Sequence, residues 1–560
     1  MAYVQGCDRS QLLFTSLDMM VAPDSPARVI DRFVDGLDLD GLGFEVAGKA
    51  LEGRPAYDPK ALLKLLLWGY CGNARSSRKL MRACSVNLEA MWLVEGVEPD
   101  YHTISNFRRD NAACVKAVFR EFNARVLAVL GTGFVSVDGT KVRASNSKDR
   151  NFTASKLDDR IARLNGRAEE CLRQMELADA GEEPPAGSLT RDELESKLAE
   201  ARERVELYEG YRKAMEDGGL SQLSLTDADA KLMKSRNGFQ VAYNVQAAVD
   251  SETHMLVNYA ATDRPTDHGL LAPTAAPLKA GGGVVEAVAD KGYIQDEDMV
   301  ACLEAGVLPS VIPPDGVDAY EIDVGYAEAP GADPASTEPA DLAACIHAGV
   351  VPDAYAGALE IGGPHDKKVF VADAAPGAPE SPYGTEEEMR ARAAEGYFVR
   401  DPERNAVWCP AGERLRQKSV KRNGDVRYAN KTACARCGLR DRCGPQKCGW
   451  KEVDFGKDVL EKPIRGFGAK AAPGSRAARG HYETRRVVTL RLAPDKEKCA
   501  QRMCLSEHPF GTIKRAMGAD HFLLRGLEKV DAEFGLLAIG YNLARAIGIL
   551  GFDGLMGAVA

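Results

Sequence analysis

The sequence predicts an α+β chain: an α/β-type mixed sheet flanked by helices, interrupted by a helical hairpin and a large insertion, and preceded by an all-helical N-terminal domain. Three observations predict this. The stretch Gly133-Phe-Val-Ser-Val-Asp-Gly-Thr-Lys-Val-Arg143 packs the β-formers Phe134, Val135 and Val137 into a short run that ends on Asp138 and turns at Gly139. Val284-Val-Glu-Ala-Val-Ala-Asp290-Lys-Gly-Tyr293 repeats it, with an apolar run, an acid at its end and a Gly-containing turn. Before residue 130 apolar residues recur at helical spacing, and after Pro313 the composition changes abruptly.

Residues 1–130 are expected to form the helical domain. Val29, Ile30, Phe33, Val34 and Leu37 share one stripe, and Pro59 opens a strongly apolar helix over Lys60–Tyr70. Asn73–Arg82 is basic, and Pro99–Arg109 carries a Thr cap and paired arginines before a long helix over Ala112–Leu130. Two readings stay open here, a helix-turn-helix-like DNA module and a solvated basic face on a small bundle.

The core begins at 131 and runs to 313. Within it, 155–218 is dominated by Glu, Arg, Ala and Leu with a break at Gly181–Gly187, which predicts two charged helices in an antiparallel hairpin. Gly238–Val249 and His254–Thr262 form a β-hairpin around Asp250-Ser-Glu. A helix over Asp267–Ala280, the Asp290 strand, a helix over Asp296–Ala305 and a strand over Val307–Ile312 follow. The order is strand, two-stranded hairpin, helix, strand, helix, strand, which suits a mixed sheet covered by helices.

Residues 314–480 break the pattern and are expected to be an insertion with its own fold. Its first half is acidic: Asp315–Glu395 holds 17 acidic against 4 basic residues, so the rest of a chain of net charge −10 carries +3. Its second half is basic, with 12 basic and 5 acidic residues over Asp401–Trp450. The overall acidity therefore does not exclude a nucleic-acid partner. Cys434-x-x-Cys437 is a chelating spacing, and with Cys443 and Cys409 it completes the ligand count of a structural Cys₄ zinc site; buried free thiols are the other reading.

At 481–560 the ordered pattern returns. With Pro509 in a first turn, Glu507, Gly511 and Lys514 fall at i, i+4 and i+7 on one helical face. The apolar run Phe534–Ala560 is interrupted by Asn542, Arg545 and Asp553, so it is expected to be a buried helix and not a membrane span. No basic-then-apolar leader opens the chain, and the 14 cysteines show no disulfide framework, which predicts a cytoplasmic protein with no membrane partner.

The Asp, Asp, Glu order on strand, strand and helix resembles the ribonuclease H-like core of DDE transposases. More specifically, Gly53-Arg-Pro-Ala-Tyr-Asp-Pro59, Asp138-Gly-Thr-Lys141, Leu232-Met-Lys-Ser-Arg-Asn-Gly-Phe-Gln240, Asp290-Lys-Gly-Tyr293 and Glu507-His-Pro-Phe-Gly-Thr-Ile-Lys514 resemble bacterial insertion-sequence transposases of the eleven-eighty-two group. The resemblance implies Asp138, Asp290 and Glu507 as catalytic acids holding two Mg²⁺ or Mn²⁺ ions, and Lys514 as a contact to transposon-end DNA. It implies an enzyme that cleaves inverted-repeat ends and joins the 3′ ends to target DNA, as a homodimer or larger multimer on double-stranded DNA. Where that family's signature places an arginine, this chain has Met503, with Arg502 one position off, so Arg502 and the Arg485-Arg486 pair are both candidates for the phosphate contact.

Lys231, Lys234, Arg236, Lys291 and Arg515 are further phosphate-contact candidates. Tyr293 either stacks on an unpaired base or packs against the sheet, and Asp267 either orients a metal ligand or caps the next helix. Two rival functions remain beside transposition: a metal-dependent nuclease of the same fold without strand transfer, and a catalytically silent, transposase-derived DNA-binding protein.

Overall fold

A computed structural model describes residues 14–44, 56–179, 189–220, 222–235, 238–281, 285–313, 317–326, 342–372, 385–401, 404–421, 425–444, 449–456, 459–468 and 480–560. The chain divides into two compact units. The larger comprises Met1–Ile322, Glu328–Gly362 and Thr489–Ala560, and the smaller comprises Asp323–Ala327 and Gly363–Val488.

In the larger unit, eight strands are used below: β1 (Val135–Arg143), β2 (Asn151–Thr153), β3 (Gln222–Ser224), β4 (Lys231–Ser235), β5 (Gly238–Asp250), β6 (Leu256–Thr262), β7 (Val285–Ala289) and β8 (Val307–Val311). Six of them form one mixed sheet in the order β4-β5-β1-β7-β8, with β6 also paired to β5. β5 is long enough to pair with β4 through its first half and β6 through its second, leaving its other edge to β1. β1, β7 and β8 run parallel. The expected order of strand, hairpin, helix, strand, helix, strand is present, although the helix after β6 is short, Leu271–Ala275. β2 and β3 close the base of the helical hairpin, whose arms are Ala154–Asp179 and Arg191–Asp217.

The N-terminal helices do not form a unit of their own, because their apolar faces are completed by the sheet and by the last helix. Val34, Leu66 and Phe119 share one core with Tyr243, Val245 and Tyr259 of the sheet and with Phe522 and Phe534. Caps are local: Ser25, Asp58 and Asp100 side chains each accept a backbone N–H at their helix starts. Thr103, expected as a cap, instead sits inside the helix Tyr101–Asp110 and donates its hydroxyl to Asp100 at 2.7 Å.

The helix Leu527–Ala558 is long and apolar enough to cross a membrane, but it packs inside this core. Its polar residues have protein partners. Asn542 donates to Asn123 at 2.8 Å and to the Leu256 carbonyl at 2.7 Å, and accepts from the Leu256 N–H at 2.8 Å. Glu533, fully buried, pairs with buried Arg75 at 3.1 Å and accepts the N–H groups of Leu523 and Leu524.

The smaller unit contains a six-stranded antiparallel sheet over residues 397–463, ordered 452–455, 426–429, 414–420, 406–408, 397–401, 461–463. Phe398, Val407, Leu415, Tyr428, Val453, Phe455 and Ile464 fill one side of it. The expected insertion of 314–480 therefore differs at both borders. Residues 328–362 belong to the larger unit, where Ile361 of a short strand pairs with Leu490.

Candidate active site

Asp138 and Asp290 are brought together by strand register. β1 and β7 pair in parallel at Val135↔Ala287 and Ser136↔Val288, so two residues further along each strand the carboxylates end side by side. Asp290 caps the single helical turn Lys291–Tyr293 by accepting the Gly292 N–H at 2.7 Å, and Asp138 accepts the Gly139 N–H at 2.8 Å. Each acid is thus held by its own turn.

Alternation sends Ser136, Asp138 and Thr140 to one face of β1. The Glu507 helix, Lys496–Gly511, docks there. Ser136 and Ser506 share a 2.7 Å hydrogen bond, the Arg502 guanidinium lies 3.4 Å from the Asp138 carboxylate, and Lys514 donates to Thr140 at 2.6 Å and to the Lys141 carbonyl at 2.9 Å. The helix starts at Lys496 under an Asp495 cap, so Pro509 lies near its end and not in a first turn; a π-helical turn, Thr512–Ala516, then carries Lys514 and Arg515. Glu507 is exposed and lines a cleft of about 730 Å³ together with Asp138, Lys141, Lys514 and Arg515. Glu497 and Glu533, the other acids of this region, do not line it.

The opposite face of the β1 end carries a polar network. Asp267 accepts from Asn244 at 2.8 Å, from Gln246 at 2.9 Å and from Lys141 at 3.3 Å, and Gln246 in turn accepts the Tyr293 hydroxyl. Gln246 thereby links the turn after Asp290 to the acid beneath Asp138. Asp267 does not cap the following helix, whose start has no side-chain cap. This network is the part sequence reasoning missed. Its signal was Asn244 and Gln246 at i, i+2 on an otherwise apolar strand.

Burial pushes the Asp138 carboxyl up to about 6; the Arg502 charge and the Gly139 N–H pull it down, while Asp290 and Asp267 push it further up. A carboxylate so crowded by other acids is stabilised by a cation. Two fixed strand-end carboxylates suit a divalent ion, and the buried Arg502 Nε, which has no hydrogen-bond partner, suits an anionic oxygen. Among the described residues, however, no three His, Cys, Asp or Glu side chains are gathered for a metal.

The remaining expected DNA contacts are placed as follows. Lys234 and Lys291 are exposed and Lys231 is half-buried, whereas Arg236 lies outside the described residues. Arg485 and Arg486 are exposed in the smaller unit and pair with Glu483 and Asp366. Tyr293 is fully buried, so its ring packs against the sheet and is not presented to a base. Arg502 reaches Asp138, while Met503 is 57% exposed. In the N-terminal helices, Arg75 and Arg108 are buried and bonded internally, so they belong to the core and not to a basic face.

Two family models match the chain: Transposase domain (DUF772) over residues 15–110, and Transposase DDE domain over residues 408–547. The second span contains Glu507 and Lys514. No match was found among curated proteins or among solved structures.

Proposed function

We propose that the chain is an insertion-sequence DDE transposase that cleaves DNA at the inverted-repeat ends of its element and joins the released 3′ ends to target DNA. The observation that carries this is the register match that sets Asp138 beside Asp290, with the Glu507 helix docked across the same face. Three antiparallel strands followed by two parallel ones, β6-β5-β1-β7-β8, support a ribonuclease H-like core.

Asp138, Asp290 and Glu507 would hold two Mg²⁺ or Mn²⁺ ions. When bound, such a pair activates the attacking oxygen and stabilises the leaving one. The chain's own groups position the DNA. Lys514, pinned to Thr140 and the Lys141 carbonyl, offers an ammonium at the cleft, and Arg515 adds a second charge beside it. Arg502, whose Nη1 pairs with Asp138, offers its Nε–H to a phosphate oxygen close by. Glu507, exposed at the cleft, would supply the third carboxylate. The same site serves twice, first with water and then with the freed 3′-hydroxyl, so no protein nucleophile is needed. Acting on two element ends calls for a homodimer or larger assembly, working on DNA in the cytoplasm.

The test is a Mg²⁺ or Mn²⁺ titration of cleavage and joining on labelled DNA that carries the element's ends, with Asp138→Ala, Asp290→Ala and Glu507→Ala in parallel. Metal-dependent joined product that is lost in each variant is the expected result. Cleavage without joining would identify a nuclease, cleavage surviving Glu507→Ala would remove Glu507 from the triad, and binding without cleavage would identify a silent DNA-binding descendant.

A further inference from the structure

We propose that the smaller unit holds one structural zinc ion between Cys409, Cys434, Cys437 and Cys443, closing two of its turns onto each other. The first turn follows the strand 406–408. The Cys409 N–H donates to the Glu413 carbonyl at 3.1 Å, the Gly412 N–H donates to the Cys409 carbonyl at 2.9 Å, and Gly412 takes φ +73° to make the bend. Inside that bend the Cys409 sulfur accepts the backbone N–H groups of Ala411 and Glu413.

The second turn is Cys434-Ala-Arg-Cys437, at the end of the short helix Lys431–Ala435. The Cys437 N–H donates to the Cys434 carbonyl at 3.4 Å, and the spacing puts both sulfurs on one side. Asn430 brings this turn to the first. It caps the helix by accepting the Ala433 N–H at 3.0 Å, and it donates to the Arg414 carbonyl at 2.9 Å, immediately after the Cys409 bend. Cys443, on the next helical turn, packs with Cys409 against the same apolar cluster.

Among the described residues no three of these side chains are already gathered, so the metal would draw the two turns together. Four S–H protons leave to solvent and four Zn–S bonds of about 2.3 Å form in a tetrahedron.

The four cysteines of the smaller unit are half-buried at turns and make no disulfide. The unit has need of such a link, since the apolar cluster under these turns contains only seven fully buried side chains. Closing the turns would also fix the exposed Arg436, Arg440 and Arg442 that they carry.

The test uses the full chain, purified without chelator, and does not depend on DNA cleavage, so it can fail while the transposase reading stands. Elemental analysis should give one zinc per chain. Replacement by Co²⁺ in the wild-type protein should give the intense d–d and sulfur-to-metal bands of a tetrahedral four-thiolate site. Cys409→Ser, Cys434→Ser, Cys437→Ser and Cys443→Ser should each weaken or abolish metal retention, and Cys171→Ser, in the helical hairpin, should not. An octahedral or metal-free Co²⁺ spectrum in wild type would overturn the proposal. So would a four-thiolate spectrum that survives Cys409→Ser or Cys443→Ser.

Discussion

Gly139→Ala should damage the site without touching a catalytic acid. An added Cβ would stand 2.3 Å from Gln246 Nε2, 2.6 Å from Asp267 Oδ1 and 3.0 Å from Asn244 Oδ1, so the Gln246 amide has to retreat by about 1 Å. It has nowhere free to go, being 1% exposed and tied to both Asp267 and the Tyr293 hydroxyl. Weakening the bond to charged Asp267, at about 1.5–3 kcal/mol, and the neutral one from Tyr293, at about 0.5–1.5 kcal/mol, puts the cost near ~3 kcal/mol. Gly139 has no left-handed backbone conformation, so strain at φ adds nothing and the effect is steric. The assay is urea unfolding of the larger unit together with Mn²⁺ affinity, since the displaced network links the turns of both aspartates. Gly139→Ala combined with Gln246→Ala opens the space, so the pair should cost at least ~1 kcal/mol less than the sum of the singles. A single variant within ~0.5 kcal/mol of wild type, or a strictly additive pair, would refute the reasoning.

Other outcomes follow from the same structure. Glu533→Ala leaves Arg75 buried without its partner and should cost about 3–5 kcal/mol in chemical unfolding, while the apolar replacement Arg75→Met with Glu533→Leu should recover most of it. Lys514→Ala should weaken binding to DNA roughly equally for all sequences and lower the salt slope of log K by about 1, as measured by fluorescence anisotropy across ionic strength. Because the Asp138 pKa is raised to about 6, the group carries a proton below that pH. Metal must then displace this proton, so calorimetric Mn²⁺ affinity should be level above pH ~7 and fall up to about tenfold per unit below 6.

Much of the site was legible because its signals are local. Asp138 and Asp290 each end a short β-forming run before a glycine turn, and such a run needs no distant contact to be recognised. Glu507 and Lys514 were legible from helical spacing, even though the helix begins at Lys496 and carries Pro509 near its end. The network on the far face was harder. Asn244 and Gln246 show as polar interruptions of an apolar strand, but the partner that makes sense of them, Asp267, arrives from a loop.

By itself the sequence determined most of the elements of the sheet, their order along the chain, and the acids that end two strands, because β-propensity, turn chemistry and helical periodicity act over a few residues. Only the tertiary structure decided what those elements complete. It joined the N-terminal helices to the mixed sheet in one core and buried Arg75 against Glu533, 458 positions away. It also turned Arg502, not residue 503, toward Asp138, and it moved the border of the inserted unit to Gly363. The reason is common to all four: each depends on which apolar face or buried charge finds its complement across the chain, and that complementarity has no spacing to be read.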